Sequence, residues 1–272
     1  MTEHDLTAGA RTTATAAIAA AGSLALLSFV IVVVNYWIYS ARATFIELHP
    51  AFSAEQPPTI SKAITDPSIG EPFAFWVTLS AVALAVGVLP VCWMHYRTAR
   101  ALPPGRTRSW LIVLAWAACF SQLSSCVGMV GLATWRGPDH GDGHMIGSYI
   151  FFGFQTLTVL IVAVMSHLLG KQPQAPGEIA TAMLSPRLSR FRSRFAVVSV
   201  VLALSFIGLF VTKGFDFEHG YALMYQVYVL SEPAAITCYL LVIVTYYPEL
   251  WTTARLLSGS SRPLLSASRT PD

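Results

Sequence analysis

Residues 228–239 read YVLSEPAAITCY, with a glutamate and a proline side by side in an otherwise apolar run. The surrounding segment, 221–247, is long enough to cross a ~30 Å hydrocarbon layer, which takes about 20 residues. An ionised acid at that depth costs about 2.5–3.5 kcal/mol on insertion scales. Pro233 lacks an N–H, so the Val229 carbonyl loses its usual helical partner. Glu232 and Pro233 therefore predict a kinked, locally polar helix whose glutamate is sheltered by other helices or by water. The fold turns on whether the chain supplies those helices.

Five further runs do so: 14–39, 73–96, 109–135, 145–169 and 194–213. The 272 residues are 54% hydrophobic and 11% charged, too few charges to coat a soluble domain. The first run exceeds the length of a signal-peptide core and lacks its basic flank, so it is expected to remain as a span. The expected fold is all-α: a polytopic bundle of six transmembrane helices over residues 14–254, with a short tail at 1–13 and a flexible tail at 255–272. Spans one to three do not resemble spans four to six, which removes the usual pointer to an inverted-repeat transporter.

Charge sets the expected orientation. Thirteen basic side chains, from Arg11 to Arg269, fall in segments 1–13, 97–108, 170–194 and 248–272, against Arg42, Lys62, Arg136 and Lys213 in the alternate loops. By the positive-inside rule both termini are cytoplasmic. The net charge of +3 is thus a membrane-orientation signal and points to no nucleic-acid partner. Within SPRLSRFRSRF (185–195), Arg187, Arg190, Arg192 and Arg194 are candidate contacts for anionic lipid head groups. Cys92, Cys119, Cys126 and Cys238 all fall inside spans, so no disulfide framework or CxxC motif is expected.

Polar residues inside the spans fall on helical faces. His144, Ser148 and Gln155 share one face of the fourth span, and Tyr221, Tyr225, Tyr228 and Glu232 share one face of the sixth. Ser121, Gln122, Ser124 and Ser125 lie near mid-depth in the third. Because a polar side chain facing lipid is costly, these faces are expected to converge on a polar pocket open to the outer side. Its candidate ligand-binding residues are Glu232, His144, Gln155, Tyr225, Tyr228, Ser148 and Ser61. A second group on the same side, DHGDGH (139–144) and DFEHG (216–220), offers His144, Asp139, Asp142, Asp216 and His219 as a metal set, zinc being the ion such ligands suit. The alternative is turn chemistry, with Asp142 as N-cap of the fourth span. Between the first two spans, PPTISKAITDPSIGEPF (57–73) reads as a loop folding back over the bundle mouth.

Three elements carry a family resemblance: PTIS (58–61) with EP before the second span, HMIGSYIFF (144–152) opening the fourth, and the last-span glutamate followed by TYYPEL (245–250). In order and placement they resemble the Frag/DRAM/Sfk family of six-span membrane proteins. The resemblance implies six helices with cytosolic termini. Members of that family are associated with lipid remodelling of GPI-anchored proteins, autophagy modulation and phosphoinositide-kinase organisation. No agreed catalytic mechanism comes with it; Ser61, His144 and Glu232 are the positions matching recurrent motifs, and the proline after Glu232 departs from the pattern. The leading expectation is a non-enzymatic integral membrane protein that binds or organises a lipid. A membrane-embedded, metal-dependent lipid hydrolase or acyltransferase is the alternative, and a proton-coupled transporter using Glu232 is the third.

Overall fold

The computed structural model describes residues 3–136, 140–172, 183–212 and 221–258; over these it is helical and has no strand. Six helical stretches are long and apolar enough to cross a membrane: Ala14–Leu48, Pro67–Ala101, Arg106–Thr134, Gly141–Gly170, Pro186–Thr212 and Ala222–Ala254. All six expected spans are present, and each is longer than its apolar run. The first helix, α1 (Glu3–Leu48), continues through residues 40–48, where a loop is expected from sequence. A polar turn at a membrane boundary stays helical because the helix satisfies its own backbone groups there.

The expected loop over the bundle mouth is largely helical too. α2 (Pro50–Glu55) precedes it, and residues 57–73 contain α3 (Ile60–Ala63) and then enter α4 (Pro67–Gly87). Asp66 caps α4, accepting hydrogen bonds from the Ser68 N–H at 2.9 Å and the Ser68 hydroxyl at 2.7 Å. His49 Nε2 donates to the same carboxylate at 2.9 Å. These donors, the Ser68 hydroxyl first, hold the Asp66 carboxyl below its ordinary value.

Two spans are broken. Pro90 separates α4 from α5 (Leu89–Ala101), and the Ser23 hydroxyl donates to the Gly87 carbonyl at that break. Pro248 separates α9 (Tyr221–Val244) from α10 (Tyr247–Ala254). Pro233, by contrast, does not interrupt α9. One missing N–H removes one ladder bond from a helix of 24 residues, and the Ser231 hydroxyl engages the Tyr228 carbonyl nearby.

The spans form a ring in chain order. The first packs on α4, α4 and α5 on α6 (Arg106–Thr134), α6 on α7 (Gly141–Gly170), α7 on α8 (Pro186–Thr212) and α8 on α9, while α9 and α10 return to α1. Outside, the ring is apolar: Val32, Trp116, Phe120 and Val127 are each about two-thirds exposed. Inside it is partly polar, with Ser80, Ser121, Gln122, Gln155, Ser166 and Ser199 all buried. A soluble protein has the reverse pattern. One end of the ring carries α2 and α3 and is called here the loop end; the other, with Arg187, Arg190 and Arg194 exposed on α8, is the arginine end.

Candidate functional site

The closest helix pair sets the geometry of the loop end. Gly128 and Gly131 of α6 face α7, where Gly147 lies against the backbone of Gly131 and Leu132; a Cβ at Gly128 or Gly147 would collide with the opposing main chain. Small residues allow such an approach in membranes, where packing replaces the hydrophobic drive. One turn before Gly147, His144 lies on the same face of α7. Leu132 is in the last turn of α6, where carbonyls lack helical partners. His144 Nδ1 sits 2.8 Å from the Leu132 carbonyl oxygen. A carbonyl only accepts, so Nδ1 carries a proton, and in that tautomer Nε2 is the acceptor. Ser61 donates its hydroxyl to that Nε2 at 3.0 Å.

The residues of PTIS are each anchored separately. Arg42 of α1 donates to the Pro58 carbonyl at 3.0 Å. Thr59 caps α3, its hydroxyl accepting from the Lys62 N–H. Ile60 is buried, and its N–H donates to Glu232 Oε2 at 3.2 Å. Ser61 engages His144. Three spans thus hold three of these four consecutive residues, and Thr59 caps the short helix that follows. Glu232 is buried, 6% exposed, so the acid that first suggested a sheltered site is sheltered by the loop as well as by helices.

Beneath this segment lies a cavity of about 280 Å³ between α7, α8 and α9. Thr59, Ser61, His144, Ser148 and Glu232 form its polar end, and Phe152, Phe206 and Phe210 form part of its apolar wall. Tyr149 and Val211 line it and are each 61% exposed, which puts its opening on the lipid-facing surface between α7 and α8. Gly153 also lines it, and a Cβ there would meet nothing within 4 Å.

Of the seven expected ligand residues, five meet at this cavity: Ser61, His144, Ser148, Tyr228 and Glu232. Gln155 does not. It is buried deeper, paired with Gln122 at 3.0 Å and accepting from Ser125 at 2.9 Å, so it clasps α6 to α7. An amide with four hydrogen-bonding positions is best satisfied by another amide at the same depth, and Gln122 supplies one. Tyr225 is not among the lining residues; its ring lies tilted against Tyr228 at 5.9 Å. Asp142 is exposed in the first turn of α7, and the N-cap position belongs to His140, without a side-chain cap bond. Asp139, Asp216 and His219 lie outside the described residues, as do Glu218 and the side chain of Tyr221. Among the described residues no three His, Cys, Asp or Glu side chains converge, and both nitrogens of His144 are already engaged.

At the arginine end the structure holds a network the sequence did not disclose. Arg192, a candidate lipid contact by sequence, has no exposed surface. Its guanidinium pairs with Glu249 Oε2 at 2.7 Å, donates to the Thr245 hydroxyl and carbonyl, and lies 3.7 Å over the Tyr246 ring. Tyr246 in turn bonds His95 Nε2 at 2.7 Å, and Tyr247 bonds Ser28 at 3.0 Å. TYYPEL is therefore the broken joint of the sixth span, with its side chains tied to α1, α5 and α8. Arg192 cannot meet a head group from this position; Arg187, Arg190 and Arg194 remain exposed.

A family model described as the Frag1/DRAM/Sfk1/Cwh43P N-terminal domain matches residues 16–253. No curated protein and no solved structure matches the chain. The family match runs from the first span into α10 and takes in PTIS, the His144–Gly147 turn, Glu232 and the TYYPEL joint. With its six apolar helices, the chain is an integral membrane protein belonging to the Frag1/DRAM/Sfk1/Cwh43P family.

Proposed function

We propose that the protein binds a membrane lipid in the loop-end cavity, with the head group beneath residues 58–61 and an acyl segment along the aromatic wall. The observation that carries this reading is a cavity that is polar at one end, apolar along the other, and open toward lipid between α7 and α8. Its volume of about 280 Å³ lies near the lower end of small-molecule sites, roughly 300–1,000 Å³. It would hold a head group and the first part of a chain while the remainder stays in the bilayer. Moving a chain from bilayer to cavity gains little, because lipid tails are as apolar as leucine. Selectivity would therefore come from Ser61, His144, Ser148 and Glu232. The distribution of basic residues supports an orientation with the arginine end cytoplasmic and the cavity in the outer half of the membrane. Arg187, Arg190 and Arg194 would then meet anionic head groups on the opposite side.

Gly153 provides the test. Gly153 lines the cavity and a Cβ there meets nothing within 4 Å, so tryptophan at this position is expected to occupy the space without displacing a neighbouring helix. Native mass spectrometry of the purified protein is expected to show a co-purifying lipid adduct, reduced at least tenfold in Gly153→Trp. An adduct of equal abundance in both would place the lipid elsewhere.

A further inference from the structure

The pairing of Ser61 with His144 has the elements of an activated nucleophile. We infer that Ser61 Oγ and His144 Nε2 form a nucleophile–base pair that transfers an acyl group from an ester-linked lipid in the cavity; this rests on the lipid-binding reading above. Four observations converge on it. The Ser61 hydroxyl donates to Nε2 at 3.0 Å, within the range required for proton abstraction. Nδ1 is bound to the Leu132 carbonyl at 2.8 Å, which fixes the tautomer and orients the ring, the part a third group plays in nucleophile–base–orienter arrangements. Ser61 is held in place through its neighbours, by Arg42 on Pro58 and Glu232 on Ile60. Both Ser61 and His144 line a cavity whose other wall is apolar, so a lipid ester lying along that wall brings its carbonyl toward the pair.

The chemistry closes in two steps. Ser61 Oγ attacks the ester carbonyl carbon, forming an Oγ–C bond while its proton passes to His144 Nε2. Collapse of the tetrahedral species breaks the C–O bond to the lipid's alcohol, whose oxygen takes the proton from Nε2, and the acyl group remains on Ser61. Water or a hydroxyl of a second molecule then gives a proton to Nε2 and attacks the acyl carbon. Ser61 Oγ departs with that proton, leaving a free fatty acid or a new ester. The Leu132 carbonyl supports the imidazolium with a dipole only, where an aspartate would supply a full charge, so a slow turnover is expected. Nothing here requires a metal: the nucleophile, its base and the orienting group are all present in the chain.

The full-length protein in lipid nanodiscs, treated with an alkyl fluorophosphonate carrying an alkyne, is the test. Peptide mass spectrometry should find the phosphonyl group on Ser61. It should be absent in Ser61→Ala and reduced at least 100-fold in His144→Gln, general-base assistance contributing about 10²–10⁴. Ser61→Cys keeps a nucleophile at the position and should be alkylated by a lipid iodoacetamide more slowly when combined with His144→Gln. Native mass spectrometry of the same samples separates the two readings. An unlabelled Ser61 in a protein that still carries its lipid overturns the acyl-transfer inference alone. Loss of the lipid from the wild-type protein overturns the binding reading beneath it, and labelling of Ser148 in place of Ser61 would assign the reactivity to the wrong side chain for this mechanism.

Discussion

Glu232→Leu is expected to release residues 58–61 from the cavity while leaving the six-helix bundle at least as stable as the wild type. The carboxylate accepts the Ile60 N–H, and leucine leaves that buried donor without its acceptor. An unsatisfied buried group costs about 1–3 kcal/mol. Concentrated on one segment, that speeds local opening by about 5- to 150-fold, since every 1.4 kcal/mol is tenfold. The bundle has an opposite response, because removing a buried acid from a membrane span relieves part of an insertion cost that reaches about 2.5–3.5 kcal/mol at a helix centre. Hydrogen exchange across residues 58–64 reads the first effect and thermal unfolding the second. Glu232→Gln keeps an acceptor and should stay within a few-fold of wild type. Unchanged protection in Glu232→Leu would mean the segment is held by Arg42 and His144 without help from the acid.

The second large effect lies at the far end. Arg192→Met should destabilise the protein by about 3–5 kcal/mol, the usual penalty for leaving one member of a buried ion pair behind. Glu249 would keep the Ser185 N–H at 3.2 Å as a donor but lose its counter-charge, and Thr245 would lose both of its guanidinium contacts. The double variant Arg192→Met/Glu249→Leu removes both charges and should return to within about 1 kcal/mol of wild type, because an apolar pair of similar volume often replaces a buried ion pair without loss. Equilibrium unfolding of the three proteins checks this. A double variant as unstable as the single one would show that the hydrogen bonds to Thr245, and not the charge pair, hold the joint.

Both sites show what a sequence can disclose. Spans were legible because membrane crossing is a property of composition over 20 or more residues. The polar faces were legible for His144, Ser148, Tyr228 and Glu232, because helical spacing alone sets which side they share. Gln155 follows the same spacing but lies about one turn deeper than the cavity, and depth depends on where Gln122 on another helix offers a partner. Arg192 was grouped with its neighbouring arginines because they are adjacent in sequence. Its helical face tells otherwise, since Ser189, Ser193, Ala196, Ser199 and Ala203 are all buried along the same side of α8. A charge lying on a stripe of small buried residues marks an internal ion pair, and Glu249 two helices later is its partner. The anchoring of residues 58–61 was not legible. It depends on main-chain groups of Pro58 and Ile60, which no side-chain pattern encodes.

These contacts explain three short segments that the family match spans. PTIS is a short cap in which each residue is tied to a different neighbour. The His144–Gly147 spacing combines a tautomer-fixing contact with the glycine that lets the helices approach closely enough to make it. TYYPEL is a proline-broken joint locked by a buried cation. The cap and the histidine meet at the loop-end cavity, and the joint stabilises the bundle from the other end.

Photo-cross-linking reads whether lipid occupies that cavity. A phospholipid with a diazirine near its head group, incorporated with the protein into nanodiscs, should mark Met145, Tyr149 and Phe210 on α7 and α8, and the marks should disappear in Gly153→Trp. Cross-links spread over outward residues such as Val198 and Leu204, and unchanged by Gly153→Trp, would mean that lipid only coats the outside of the bundle.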